Sequence, residues 1–374
     1  MVASRAESNL IYLPSGPVDL ARAARTLLEG ELVAFPTETV YGLGADAENP
    51  TAVEKIYRAK GRPANHPVIV HLAPEADLSY WVAALPWQAE RLIAAFWPGP
   101  LTLILKRSAH INSTVSGGQD SIGLRCPSHP VAVKLLQAFA SGKPSGKGGV
   151  AAPSANRFGH VSPTLAAHVR EEFAELVAAG MPVLEGGASE VGIESTIIDL
   201  SRTDLGIGPM ILRPGFISAG AIETILGDRV WLPDAQAPRV SGALKSHYAP
   251  ATPLHLASLA LLKKMACGAE TATNSSEGLG SAERIAIVSY TTPRPPDDAL
   301  TQIDWITISS DPVQYAHELY ALLRELDKLG YASLWFEHVP QTTLWAGVKD
   351  RLSRAAAATF DTLDNHDKDG DTTT

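Results

Sequence analysis

The alternation of apolar and polar positions divides the chain into helices and strands. From Val18 to Glu29 apolar residues recur at helical spacing, Gly30 supplies a C-terminal cap, and Glu31 to Phe35 reads as a strand ended by Pro36. A second helical period runs from Thr51 to Lys60 and stops at Gly61 and Pro63, before the apolar run Val68 to Leu72 predicts a buried strand. Trp87 to Trp97 and Pro130 to Ala140 predict further helices, with strands at Leu101 to Lys106 and Gly149 to Ala152. The segment 234–253, DAQAPRVSGALKSHYAPATP, has no sustained period and reads as an interdomain linker. Beyond it the pattern restarts. Leu254 to Ala266 reads as a strand entering a helix, Arg284 to Tyr290, Trp305 to Ser309 and Ser333 to Val339 as strands, and Pro312 to Leu329 and Trp345 to Phe360 as helices. Helix and strand alternate, so the fold class is α/β, with a mainly parallel sheet in the second, smaller part.

Length and charge sharpen this picture. At 374 residues the chain is long enough for two cores. Its 45% hydrophobic and 19% charged residues suit an ordinary globular protein and exclude a disordered or collagen-like one. A net charge of −9 speaks against a protein that wraps duplex nucleic acid by bulk counterion release, so any nucleic-acid contact must be local. Cys126 and Cys267 lie far apart and form no CxxC pair, which argues against a disulfide framework or a four-ligand zinc site and fits a reducing compartment. No run approaches about 18 uninterrupted apolar residues, and the opening MVASRAESNLIYLPSG lacks the apolar region of a signal peptide, so a cytoplasmic protein is expected. The polar stretch 363–374 reads as a disordered tail; its DKDG resembles the start of a calcium loop without the later ligands.

Candidate chemistry gathers in polar clusters at the ends of apolar strands, where an open α/β sheet places its ligand site. FPTETVYGLGADA, residues 35–47, sets Thr37, Glu38, Thr39 and Tyr41 beside Gly42 and Gly44. The glycines hint at a dinucleotide fingerprint but no ribose-binding acid is correctly placed, and the segment fits a turn or a ligand loop equally. Arg58, Lys60 and Arg62 surround Gly61, an arrangement suited to a polyphosphate or to a helix C-terminus whose dipole favours cations. His66 and His71 flank the next strand without completing a metal cluster. SGKPSGKGG, residues 141–149, is a loop that lacks the closing Ser or Thr of a P-loop. Ser121 and Arg125 lie in SGGQDSIGLRCPSHP, where Arg125 suits a bidentate carboxylate contact or a surface ion pair. Ser154, Asn156, Ser162 and Thr164 fit caps and turns or nucleotide contacts. Glu194, Ser195 and Thr196 precede one strand, and Arg213 ends another. Several loops bringing cations, hydroxyls and amides together point to a site for an anionic, multifunctional ligand.

The motifs FPTETVYGLGADA, KGRPANHPVIVHL, FWPGPLTLIL, GLRCPSHP, AAPSANRFGHVSPT, GIESTIID and LRPG stand in the order of the YrdC-like threonylcarbamoyl-AMP synthases, which the chain resembles over nearly its whole first domain. SGALKSHYAP and the appended α/β domain resemble the long, two-domain members, whose linker contributes to closing the site. The resemblance implies a YrdC-like twisted, open mixed sheet with helices over residues 1–233, the linker 234–253, and a smaller Rossmann-like α/β domain over 254–362. It implies a nucleotidyltransferase that converts L-threonine, bicarbonate and ATP, with magnesium, to threonylcarbamoyl-adenylate and pyrophosphate. A partner transferase then modifies the adenosine beside the anticodon of tRNA. Thr39, His71, Arg125, Ser195 and the backbone of Ala152 are the implied L-threonine contacts. Lys60, Arg62, His66, Ser121, Ser154, Asn156, Ser162 and Arg213, with His247 of the linker, are the implied ATP contacts. Lys60 and Arg62 are the expected catalytic cations, acting by electrostatics without a covalent nucleophile, and magnesium is expected to arrive on ATP rather than in a protein metal site. The second domain is expected to order the linker and limit opening of the site. Two other expectations compete. One is an RNA-binding protein without catalysis that uses the same cations, weak tRNA contact being compatible with both readings; the other is an unrelated acyl-adenylate-forming or carbamoyl-transfer enzyme.

Overall fold

The computed structural model describes residues 15–266, 284–292 and 302–366. Helix boundaries follow local chemistry. In α2 (Pro50–Lys60) the Asn49 side chain accepts the Thr51 and Ala52 amides, Pro50 opens the first turn, and Gly61 closes the helix at φ +62°. The other helices of the first domain are α1 (Pro17–Leu28), α3 (Trp87–Phe96), α4 (Pro130–Gly142), α5 (Ala166–Glu172), α6 (Ala174–Ala178) and α7 (Ala219–Leu226). Its strands are β1 (Val33–Phe35), β2 (Gly42–Asp46), β3 (Ile69–His71), β4 (Leu101–Lys106), β5 (Ser121–Arg125), β6 (Val150–Ala151), β7 (Thr196–Asp199) and β8 (Met210–Arg213). They form one mixed sheet in the order β1-β2-β6-β3-β5-β4-β7-β8. The pairs β3–β5 and β4–β7 are parallel and the others antiparallel.

One sheet face carries the main core, with Leu43, Val70, Leu103, Leu124 and Ile198 under Ile56 of α2, Leu92 of α3 and Val169 of α5. The other face is divided. Phe35 and Val150 lie under Leu27 of α1 and Leu135 and Phe139 of α4, whereas Ile69, Ile104, Ile197 and Leu212 are covered by Val240 of the linker. The candidate site lies on this second face.

The second domain has β9 (Leu254–Ala257), β10 (Ile285–Ser289), β11 (Ile303–Thr307) and β12 (Ser333–Glu337), all parallel, in the order β11-β10-β12-β9. Its helices are α8 (Leu259–Ala266), α9 (Pro312–Lys328) and α10 (Ala346–His366). Leu254, Val288, Leu319, Leu323, Phe336 and Leu352 share one cluster with Val40, Val161, Val191 and Ile193 of the first domain and Tyr248 of the linker. Each such fully buried side chain contributes about 1.5–3 kcal/mol, so the domains are joined by a common apolar core. Gly192 allows the close approach: it has φ +79°, and a Cβ there would stand 2.5 Å from the Ala316 carbonyl oxygen and the His317 Cα. Gly192→Ala is expected to lower unfolding free energy by about 1–3 kcal/mol, read by denaturant unfolding; an unchanged midpoint would show that the two domains do not depend on this contact.

Several sequence expectations need correction. The Gly42-Leu43-Gly44 run is a fully buried strand, neither turn nor phosphate loop. Its glycines make room for the Phe35 ring, since a Cβ at Gly44 would lie 2.8 Å from both Phe35 Cε1 and Val150 Cγ1. The strands read from sequence on either side of α2, β1 and β3, are not neighbours in the sheet, because β2 and β6 lie between them, each pairing antiparallel. Helices α5, α6 and α7 were not foreseen in the apolar pattern, being short or closed by polar caps. β11 begins two residues before the expected Trp305, because Asp304 breaks the apolar run while pairing with Arg284 and Tyr331. The 141–149 loop spends Lys143 on Asp46 and Lys147 on Asp77. Of the expected tail 363–374, residues 363–366 are instead the end of α10, which continues the helix beyond the expected Phe360; the N-terminal lead up to residue 14, Cys267 and residues 367–374, including DKDG, lie outside the described residues. Among the described residues no helix is long and apolar enough to cross a membrane.

Candidate functional site

A narrow cavity of about 30 Å³ opens on the second sheet face, lined by Thr37, Thr39, His71, Arg125, Ala152, Ser154, Glu194, Ser195, Arg213 and the linker residues Ser241, His247 and Tyr248, among others. The sheet register explains the grouping. His71 and Arg125 are direct partners on the parallel strands β3 and β5, and Arg213 is the partner of Ile197, two residues after Ser195, on β7 and β8. Of the residues foreseen from sequence, Thr39, His71, Arg125, Ala152, Ser154, Ser195, Arg213 and His247 line the cavity. Lys60, Arg62, Asn156 and Ser162 are buried behind it. His66 lies outside the lining and stacks edge-on with Phe158 at 5.5 Å. Ser121 borders a smaller neighbouring cavity with Arg239 and Val240.

Arg125 is held by a buried ion pair: Nη2 donates to Glu38 Oε1 at 2.7 Å and Nε to the Gly99 carbonyl at 3.3 Å. The guanidinium therefore faces the cavity already oriented, through a carboxylate that sequence reasoning had noticed only as a member of a polar cluster. Thr37 Oγ1 donates to Val40 O at 2.6 Å and lies 2.9 Å from Thr39 Oγ1, which fixes the tight turn before β2. Ala152 donates its amide to Ile69 O at 2.9 Å.

The cations are packed against backbone oxygens. Lys60 Nζ donates to Ser154 O at 2.6 Å and to Asn156 O, tying the end of α2 to the loop after β6. Burial, then the neighbouring Arg62, pulls its pKa well below the ordinary lysine value. Arg62 Nη2 donates to Pro67 O at 2.7 Å and to Ser241 Oγ at 3.3 Å, and burial lowers its pKa to about 10. Arg213 reaches Ser195 O through Nε and Nη2 and Ser241 O through Nη1. Glu194 receives Ser162 Oγ at 2.5 Å, Tyr320 Oη at 2.9 Å and Arg351 Nε at 2.8 Å. Burial alone would raise its pKa, but Arg351 and Arg213 hold it down near 2. Tyr320 and Arg351, both of the second domain, were missed from sequence because helical amphipathicity explains them as well as any site role.

Buried polar groups normally find partners. Here Arg62 Nε, His71 Nδ1, Asn156 Oδ1, His247 Nδ1 and Tyr248 Oη, all in or beside the cavity, have none. Unspent donors and acceptors beside buried cations make a site for a polar, anionic ligand. Among the described residues no group of three or more His, Cys, Asp or Glu could hold a metal ion. The cavity carboxylate Glu194 and the neighbouring Glu38 are already engaged by arginines.

Residues 25–215 match the Sua5, YciO and YrdC family, described as telomere recombination, and residues 217–357 match the threonylcarbamoyl-AMP synthase C-terminal domain. The threonylcarbamoyl-AMP synthase of Pyrococcus abyssi is 35% identical over 340 residues, covering 89% of this chain and 93% of the relative. That of Bacillus subtilis is 40% identical over 247 residues, covering 65% and 67%. The solved structure of P. abyssi Sua5 complexed with L-threonine superimposes with a TM-score of 0.74 at 31% identity, covering 91% of this chain and 94% of that one. With both domains matched and the likeness running nearly end to end, this chain belongs to the threonylcarbamoyl-AMP synthase family, in the form that carries the C-terminal domain.

Proposed function

We propose that the chain is an L-threonylcarbamoyladenylate synthase of the nucleotidyltransferase class. The observation that carries this reading is the near full-length likeness to the P. abyssi protein complexed with L-threonine. The cavity chemistry agrees with it. The threonine amine takes up bicarbonate with loss of water, giving an N-carboxylate. One oxygen of that carboxylate attacks the α-phosphorus of ATP, and pyrophosphate leaves. Thr39, His71, Arg125, Ser195 and the Ala152 backbone are proposed for threonine. Ser154, Asn156, Ser162, Arg213 and His247 are proposed for ATP, with His66 and Ser121 at its outer edge. Lys60 and Arg62 offset the charge that gathers at the phosphates. Magnesium is proposed to enter on the ATP phosphates. The product is an activated acyl group that a tRNA-modifying transferase would consume, with weak tRNA contact and a cytoplasmic setting following from that role.

The cavity in this state has room for water but not for a nucleotide, since ligand pockets run to about 300 Å³ and more. His247 and Tyr248 must withdraw for ATP to enter and return to exclude water from the labile adenylate. The direct test is pyrophosphate release with threonine and bicarbonate omitted in turn, with mass detection of the adenylate. Dependence on both supports the synthase reading, and release that ignores either one removes it.

The ion pair between Arg125 and Glu38 sets a second test. Arg125→Met alone strands the Glu38 carboxylate and is expected to cost about 3–5 kcal/mol of stability. Glu38→Gln with Arg125→Met should recover most of that loss, yet raise KM for threonine by about a hundredfold through the missing carboxylate contact. Wild-type threonine dependence in the double variant would overturn the assignment.

A further inference from the structure

The second domain reaches the site through Tyr320 of α9 and through one turn of α10. Arg351 is 1% exposed. Its Nε donates to Glu194 Oε2 at 2.8 Å and its Nη2 to Glu194 O at 3.3 Å. Its Nη1 donates to Pro214 O and to Asp350 Oδ2, both at 2.8 Å. The guanidinium carbon lies over the Tyr248 ring, 5.1 Å from its centroid. Of these partners, Glu194 and Tyr248 line the cavity themselves, and Pro214 follows the cavity residue Arg213. One side chain from the second domain thus sets three separate segments of the site while not lining the cavity itself.

The surroundings reinforce that grip on the linker. Arg354, nearly one turn further on, donates from Nη1 to Leu244 O, and its own carbonyl accepts the His247 amide at 3.4 Å. Asp350 joins the two arginines, accepting Arg354 Nε at 3.0 Å as well as Arg351 Nη1. Tyr320 of α9 donates to Glu194 Oε2 and stacks on Tyr248 at 5.8 Å. Tyr248 has φ +60°, a backbone conformation that a non-glycine residue holds only where its surroundings enforce it. Gly242 completes the seat, because a Cβ there would stand 1.9 Å from Tyr248 Oη.

We propose that Arg351 is a positioning residue of the synthase site: by fixing Glu194 and Pro214 and holding the Tyr248 ring, it couples the docked second domain to closure of the linker. The proposal rests on the synthase reading for its kinetic consequence, but its structural content stands apart from turnover. Simple domain glue would contribute to stability alone. A coupling residue also governs how often the linker opens and how well the closed site turns over.

Arg351→Lys separates the two. Lysine keeps a charge for Glu194 but loses the planar fork that reaches Pro214 and lies over Tyr248. In hydrogen–deuterium exchange of the full chain without substrates, amides 241–249 should exchange at least about tenfold faster in Arg351→Lys than in the wild type. Core peptides of β10 and β12 should keep their protection. In pyrophosphate release kcat should fall about tenfold without a rise in KM for ATP, because opening becomes easier while closure is lost. Should the lysine variant fail to fold, Glu194→Gln with Arg351→Gln removes both charges and is read in the same way. Wild-type linker exchange in a folded variant overturns the proposal, whatever the activity. Loss of substrate dependence in the wild type overturns the synthase reading and leaves the exchange result to decide the coupling alone.

Discussion

Replacing Lys60 by methionine lowers kcat/KM for ATP-dependent pyrophosphate release by about two to three orders of magnitude while the protein stays folded. The ammonium has two tasks in the structure. It ties Ser154 O and Asn156 O to the end of α2, which sets the loop that presents Ser154, Asn156 and Phe158. It also supplies positive charge beside Arg62, next to the unspent Arg62 Nε and Asn156 Oδ1. Methionine keeps the length and the burial but neither task. Stability should fall by about 1–3 kcal/mol, because Ser154 O and Asn156 O lose their donor, while removal of the desolvated ammonium offsets part of that cost. The lowered pKa adds a pH signature. The lysine is protonated below its folded pKa and loses its charge as pH rises through it, so kcat/KM should decline on the alkaline side well before the range of free lysine. Pyrophosphate release by the methionine variant at the wild-type rate would remove Lys60 from the ATP assignment.

Much of this arrangement was legible in the chain because its physics is local. Helices such as α2 and α9 announce themselves through Pro at the first turn, an Asn or Asp cap and an apolar stripe. The polar clusters could be found because hydroxyls and cations interrupt buried strands, as at His71, Arg125 and Ser195. What could not be read is non-local. Nothing near Arg125 shows that Glu38 is its partner, since the pair forms only when β5 and the turn before β2 meet. Gly42 and Gly44 look like loop residues until the Phe35 ring is placed over them. Arg351 and Tyr320 look like ordinary members of amphipathic helices, and their link to Glu194 exists only through domain docking. The side chains that bind are thus legible from chain chemistry, whereas those that orient them come from tertiary contacts.

Acidification from pH 8 to pH 5 removes about 6 kcal/mol of unfolding free energy through three buried histidines. Burial, and then nearby arginine, lowers His71 to about 3 and His168 to about 4. Burial also lowers His247 to about 3, opposed by Glu194 and aided by Arg62, Lys60 and Arg213. In the unfolded chain each returns to 6.5, so between pH 6.5 and pH 3–4 the unfolded state binds more protons and stability rises with pH. At pH 5 the difference is about 2 kcal/mol for each histidine, and the total is comparable with the net stability of a domain. Glu172 and Glu194, both held near 2 by the partners that offset their burial, contribute a separate loss only as pH falls below 4.5. His168 isolates one third of the first step. It accepts the Thr164 amide at 3.3 Å, a bond that glutamine can replace without a proton to gain. Urea unfolding at pH 8, 6.5 and 5 should therefore show a steep acid decline in the wild type and a decline shallower by about 2 kcal/mol in His168→Gln. Identical pH profiles for the two proteins would mean that His168 is protonated equally in both states, and the burial argument for this histidine would fail.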